Sequence, residues 1–218
     1  MTANPDNGDA LLIVDPQLDF CPGGALPVEG GDDIFPAINR AAANLPLTVA
    51  SRDWHPWNHS SFAENGGPWP PHCRMGTAEA GFHPALAHGY IQKVFSKGSA
   101  PDKDAYSAFE GTGLAEWLRE QNVSRLYVAG LATDYCVRAS VLDAVRQGFQ
   151  VTVLEDGIGA VEAEEGDGER ALAEMREAGA AVTTARELWP EPGDESEEGS
   201  EAPKGEEAAE AAEARHDE

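Results

Sequence analysis

Three side chains able to do nucleophilic chemistry each follow a short apolar run. Cys136 comes after Arg125-Leu-Tyr-Val-Ala-Gly130 and the linker Leu131-Ala-Thr-Asp134, at the expected start of a helix near Tyr135. A thiol at a helix start lies beside unpaired N–H groups and the positive end of the dipole, which favour the thiolate and can also receive an oxyanion. A cysteine serves equally well as a small buried hydrophobe, so its partners decide between the two readings. Asp15 closes the run Ala10-Leu-Leu-Ile-Val14, and Lys97 follows Ile91-Gln-Lys-Val-Phe95. A carboxylate, an ammonium and a thiol brought to one edge make a base, an electrostatic partner and an attacking sulfur.

A second donor set lies beside the first in the chain. Asp53 and His55 follow the run Leu47-Thr-Val-Ala50, and a spacing of two in extended chain points both side chains the same way. His72, in Trp69-Pro-Pro-His-Cys73, can join them, and two imidazoles with a carboxylate suit a divalent metal ion. Capping or packing is the alternative role for these histidines. His59 and Glu64 are further donors in the same loop, whereas His83 and His88 read as surface residues and His216 belongs to the C-terminal segment. Cys21 and Cys73 read as inert buried thiols, and a reducing compartment disfavours a disulfide between them.

The elements that must position these groups alternate along the chain. Six strand-sized runs, the five at 10–14, 47–50, 91–95, 126–129 and 151–154 and a sixth at 181–183, are interleaved with helical patterns at about 32–44, 113–122, 135–147 and 165–178. That alternation predicts a three-layer α/β/α fold around a six-stranded, mainly parallel sheet of Rossmann-like type, with right-handed crossovers. In such sheets ligands gather beyond the carboxyl ends of the strands, where Asp15, Asp53, Lys97 and Cys136 all fall. Residues 55–87, rich in Pro, Gly, Trp and His, form a connection too long to be idle and are expected to build part of a site.

Residues 1–190 have the length of one domain, and residues 191–218, built of Glu, Ala, Gly, Ser and Pro with few other types, read as an acidic disordered tail. The formal charge of −24, of which −14 precedes residue 191, excludes nucleic acid and anionic membrane as partners. Four lysines against eleven arginines among so many acids suggest a surface suited to concentrated salt. No apolar run is long enough to span a membrane, and three cysteines without a leader segment point to the cytoplasm. A dinucleotide-binding module is disfavoured, because Asp15-Pro-Gln-Leu-Asp19 stands where a Gly-x-Gly-x-x-Gly turn is required. A non-catalytic small-molecule binder is the distant alternative to an enzyme.

Several multi-residue segments occur in a recognisable order: Val14-Asp-Pro-Gln-Leu-Asp-Phe20, Asp53-Trp-His-Pro-Trp-Asn-His-Ser-Ser-Phe62, Gly67-Pro-Trp-Pro-Pro-His-Cys73, Lys97-Gly98, Tyr106-Ser-Ala-Phe-Glu-Gly111 and Gly130-Leu-Ala-Thr-Asp-Tyr-Cys-Val137. Over about residues 9–190 the chain resembles the nicotinamidases and pyrazinamidases of the isochorismatase-like cysteine hydrolase superfamily. The resemblance implies Asp15 as general base, Cys136 as nucleophile and Lys97 between them. It implies an oxyanion held by the N–H groups of Ala132 and Cys136, beside a cis peptide between Leu131 and Ala132. It further implies one divalent metal ion (zinc, iron(II) or manganese) on Asp53, His55 and His72, orienting a pyridine nitrogen, with Phe20 and Trp69 flanking the ring and Tyr106 lining the pocket. The implied reaction is hydrolysis of nicotinamide to nicotinate and ammonia through a Cys thioester, in NAD salvage, with pyrazinamide as a side substrate. The alternative within the superfamily is an N-carbamoyl or ureido-acid amidohydrolase. Isochorismatases proper generally lack the nucleophilic cysteine. The sequence leaves open the oligomeric state, the choice of metal, and whether His59 or Glu64 adds a ligand.

Overall fold

The computed structural model describes residues 8–192 and 194. Six strands form one sheet: β1 (Asp9–Val14), β2 (Thr48–Asp53), β3 (Lys93–Lys97), β4 (Arg125–Leu131), β5 (Gln150–Gly159) and β6 (Ala181–Thr183). Their spatial order is β3-β2-β1-β4-β5-β6, and all five pairings are parallel. Every residue of β1 is buried, which explains its unbroken apolar run: a central parallel strand is covered on both faces.

The strand alternation divides the core into two halves. Leu11 and Ile13 pack with Phe35, Ile38 and Ala41 of α1 (Phe35–Asn44) and with Ala185 of α5 (Ala185–Leu188). Ala10, Leu12 and Val14 face the other way, against Leu114 and Leu118 of α2 (Leu114–Glu120), Val141 and Ala144 of α3 (Arg138–Arg146) and Met175 of α4 (Asp167–Glu177). The result is the expected three-layer α/β/α arrangement.

β2 and β3 end at Asp53 and Lys97, as expected, beyond their apolar runs, because the polar side chains there find buried partners. The structure departs from the sequence reading in two local respects. The short helix α5 was not expected; a reciprocal capping box between Thr184 and Glu187 sets it. The chain around Tyr135 does not open an α-helix directly. A five-residue π-helical turn, Thr133–Val137, intervenes and α3 begins only at Arg138.

Strand order reverses between β1 and β4, so the crevice of the sheet opens where Asp15 and Cys136 leave their strands. Gly130, at φ 123°, lets β4 pass tightly by β1: a Cβ there would overlap the Val14 carbonyl. Of the expected acidic tail, Glu191, Pro192 and Asp194 are described and the rest lies outside the described residues. Arg40 of α1 pairs with Glu191 at 3.4 Å and with Asp194 at 2.9 Å. Among the described residues no helix is long and apolar enough to cross a membrane.

Candidate active site

Lys97 joins the two groups of candidate residues. Its side chain is fully buried, and its ammonium donates to Asp53 Oδ1 at 2.5 Å, to the Ala105 carbonyl at 3.1 Å and to Cys136 Sγ at 3.3 Å. Those three bonds use its three N–H groups. The fourth neighbour, Asp15 Oδ2 at 2.8 Å, shares the same ammonium in a close ion pair. The other oxygen, Asp15 Oδ1, accepts from the Ser51 hydroxyl at 2.7 Å. Asp15 itself stands at φ 46°, a left-handed conformation that aspartate tolerates better than most residues. The acidic groups of Asp15, Asp53 and Cys136 lie within 4.8 Å of one another around the ammonium.

Burial and this shared cation separate the protonation states. Burial would discharge Lys97, but the negative groups of Asp15, Asp53 and Cys136 raise its pKa well above the ordinary value and keep it charged. Asp53 is held low: burial opposes its charge, and Lys97 with His55 overcomes that. Asp15 is raised, because burial, helped by the Asp53 charge, outweighs Lys97. Of two carboxylates on one ammonium, Asp53 thus stays ionised and Asp15 is the one ready to accept a proton. The thiol of Cys136 is also pushed well up by burial, against Lys97. Cys136 sits within the π-helical turn rather than at the start of an α-helix, and there burial works against the thiolate while Lys97 works for it.

Asp53 also faces the two histidines. His55 Nδ1 donates to the Gly98 carbonyl at 2.9 Å and His72 Nδ1 to the Pro70 carbonyl at 2.8 Å, which fixes both tautomers and leaves each Nε2 lone pair free. Those nitrogens converge on Asp53 Oδ2, at 3.4 Å and 4.0 Å. Burial lowers the pKa of His72; for His55 burial is outweighed by its bond to Asp53, and the pKa rises. Buried donors of this kind, with their second nitrogens already bonded, fit a divalent cation. Gly98 is required beside them, since it stands at φ 61° and a Cβ there would overlap the His55 ring. His59 stacks on His55 with centroids 4.1 Å apart, but its Nδ1 bonds Ser61 and its Nε2 donates to the Lys103 carbonyl. Glu64 is exposed and paired with Arg74 at 2.7 Å. Neither contributes to the donor cluster.

A cleft of about 480 Å³, counting its open mouth, leads to these groups. Phe20, Trp69 and Tyr106 line it, as do Cys136, Ala132, Asp53 and His72. Trp69 Nε1 donates to the Tyr106 hydroxyl at 3.1 Å and packs edge-on to Tyr135 at 5.2 Å. The peptide between Leu131 and Ala132 is cis, as the resemblance implies. The sequence reading missed three lining residues, Leu26, Asp104 and Val161, while Tyr135, next to Cys136, also lines the cleft. It also missed two supports of the walls. Asp19 accepts from the Ala25 and Cys73 N–H groups, and Asp134 from those of Val161 and Glu162. Asp19 and Asp134 stand close to the ends of β1 and β4, but their role shows only in the contacts that folding brings, with Cys73 and with Val161 and Glu162. Cys21 and Cys73 are free buried thiols, both raised by burial, so no Cys21–Cys73 disulfide is present.

The isochorismatase domain model matches residues 9–187. The chain belongs to the isochorismatase family, on its nicotinamidase branch. It is 41% identical to a nicotinamidase of Escherichia coli K12, over 84% of this chain and 97% of that protein. Among solved structures it is similar to the pyrazinamidase of Pyrococcus horikoshii in complex with zinc, with 48% identity, a TM-score of 0.76, and coverage of 81% of this chain and 99% of that one. It is likewise similar to PnC1 from L. infantum in complex with nicotinate, with 39% identity, a TM-score of 0.80, and coverage of 85% and 96%. The ligand atoms of Asp53, His55 and His72 lie within 4.8 Å of one another, so these three side chains could hold a divalent metal ion.

Proposed function

We propose that this protein is a nicotinamidase, hydrolysing nicotinamide to nicotinate and ammonia in NAD salvage, with pyrazinamide as a side substrate. The observation that carries the reading is one aromatic-walled cleft lined by Cys136, Asp53 and His72, with Asp15 and Lys97 bonded to one another and Lys97 to Cys136, and His55 within reach of Asp53. The catalytic unit spans residues 1–190, and residues 191–218 form an acidic tail. The free thiols support a cytoplasmic setting.

Cys136 attacks the carboxamide carbon while its proton passes to the raised carboxylate of Asp15, so a C–S bond forms as the carbonyl electrons move onto oxygen. The N–H groups of Ala132 and Cys136 receive that oxyanion. Asp15 then gives its proton to the amide nitrogen, the C–N bond breaks and ammonia leaves a thioester. Water surrenders a proton to Asp15 as it adds to the thioester; the C–S bond breaks, and the proton returns to Cys136. Throughout, Lys97 keeps Asp15 and Cys136 in register and balances the negative charge shared between them. Phe20 and Trp69 flank the flat ring, and Tyr106, held by Trp69, closes one side. Asp53, His55 and His72 would hold the divalent ion (zinc, iron(II) or manganese), which supplies Lewis acidity to fix the pyridine nitrogen and so turn the carboxamide toward Cys136.

The test is ammonia release from nicotinamide by metal-loaded protein, beside Cys136→Ala. Turnover that the substitution abolishes supports the reading. A folded, metal-loaded protein without turnover overturns it and brings N-carbamoyl and ureido acids forward as substrates.

A further inference from the structure

Asp104 has no part in the mechanism above, yet its side chain lines the same cleft. It is half-buried, and its Oδ1 accepts the N–H of Ala105 at 2.9 Å. Ala105 in turn gives its carbonyl to Lys97, which anchors Asp104 beside the reacting groups. Among the described residues Asp104 makes no ion pair, in contrast to Asp15 and Asp53, whose charges are balanced by Lys97. Lys97, which reaches the cleft only behind Cys136, is already shared by Asp15, Asp53 and Cys136, so the Asp104 charge that a bound carboxylate would meet has no cation paired to it.

We infer that Asp104 sets the charge selectivity of the cleft, disfavouring anionic amides at entry and hastening release of the acid product. The inference rests on the nicotinamidase reading and deepens it. Nicotinamide and nicotinate share a ring and differ by one negative charge at the carbonyl carbon. A carboxylate in the wall of the same cleft therefore weakens the product more than the substrate. In a partly solvated cleft the discrimination is worth about three- to tenfold in affinity at low salt, and it fades at high salt as the Debye length shrinks to about 3 Å. Release of the product then becomes part of what this chain's own residues do, since hydrolysis of the thioester yields an anion that the Asp104 charge disfavours.

The test uses metal-loaded protein carrying Cys136→Ala, so that nothing is turned over, with and without Asp104→Asn. The amide of Asn keeps an oxygen for the Ala105 N–H and removes only the charge. Binding of nicotinate and of nicotinamide is followed by calorimetry at low and at molar salt. The expected result is that Asp104→Asn tightens nicotinate by about three- to tenfold at low salt, moves nicotinamide by much less, and loses its effect at molar salt. Asp104→Glu retains the parent preference. Equal shifts for both ligands, or an unchanged nicotinate affinity, overturn the inference while leaving the nicotinamidase reading intact. Failure of that reading shows separately, as absence of turnover in the protein with Cys136 restored.

Discussion

The side chain of Gln17 clasps the main chain of Asp53 from both sides: Oε1 accepts the Asp53 N–H at 2.7 Å and Nε2 donates to the Asp53 carbonyl at 2.8 Å. Nε2 donates also to the Ala80 carbonyl at 2.9 Å, and the whole residue is buried. Gln17 stands two residues beyond Asp15, so one amide ties the candidate base at the end of β1 to the carboxylate at the end of β2. Lys97 then binds both carboxylates from the third strand.

Gln17→Leu removes this clasp and leaves a buried N–H and carbonyl of Asp53 without partners, at a cost of about 1–3 kcal/mol each. Because Asp53 loses its orientation, metal affinity measured by chelator competition should fall by about tenfold or more, alongside a lower urea midpoint. Unchanged metal affinity would show that the clasp is structural only.

Lys97→Met fits the space but leaves two carboxylates buried without a cation. Breaking a buried ion pair from one side costs about 3–5 kcal/mol, read by urea unfolding, and kcat/KM should fall by about a hundredfold or more. Stability equal to the parent would contradict the role of Lys97 in holding the cluster.

The pH dependence of kcat/KM tests the state of Asp15. The base must be ionised to take the thiol proton, and its pKa is raised by burial, so activity is lost on the acid side at a pH above that of an ordinary aspartate. The Ser51 hydroxyl favours the ionised form through its bond to Oδ1. Ser51→Ala should therefore move the acid limb to higher pH, and a limb that stays in place would remove Asp15 from the base role.

Deletion of residues 195–218 should leave turnover of nicotinamide and the urea midpoint within error of the full chain. The ion pairs of Arg40 and Arg186 with Glu191 and Asp194 remain after that cut. A large loss of activity would assign the acidic segment a part in the site.

Much of this molecule was legible in the order of its residues. Apolar runs of strand length alternating with helical patterns specify a covered parallel sheet, and polar residues placed just past those runs fall at the carboxyl edge. That is why Asp15, Asp53, Lys97 and Cys136 could be singled out before any contact was known. What the tertiary structure decided depends on burial and on approach between distant segments. The acidities of Cys136 and Asp15 are both weakened by enclosure and strengthened by Lys97, a balance no local pattern encodes. The clasp of Gln17 on Asp53 and the absence of His59 from the donor cluster follow from how the loops fold back across the sheet edge. So do the walls supplied by Leu26, Asp104, Tyr135 and Val161. Local sequence sets which groups are present and which strand end each one leaves; their charge states and partners arise only when desolvation and long-range contact bring them together.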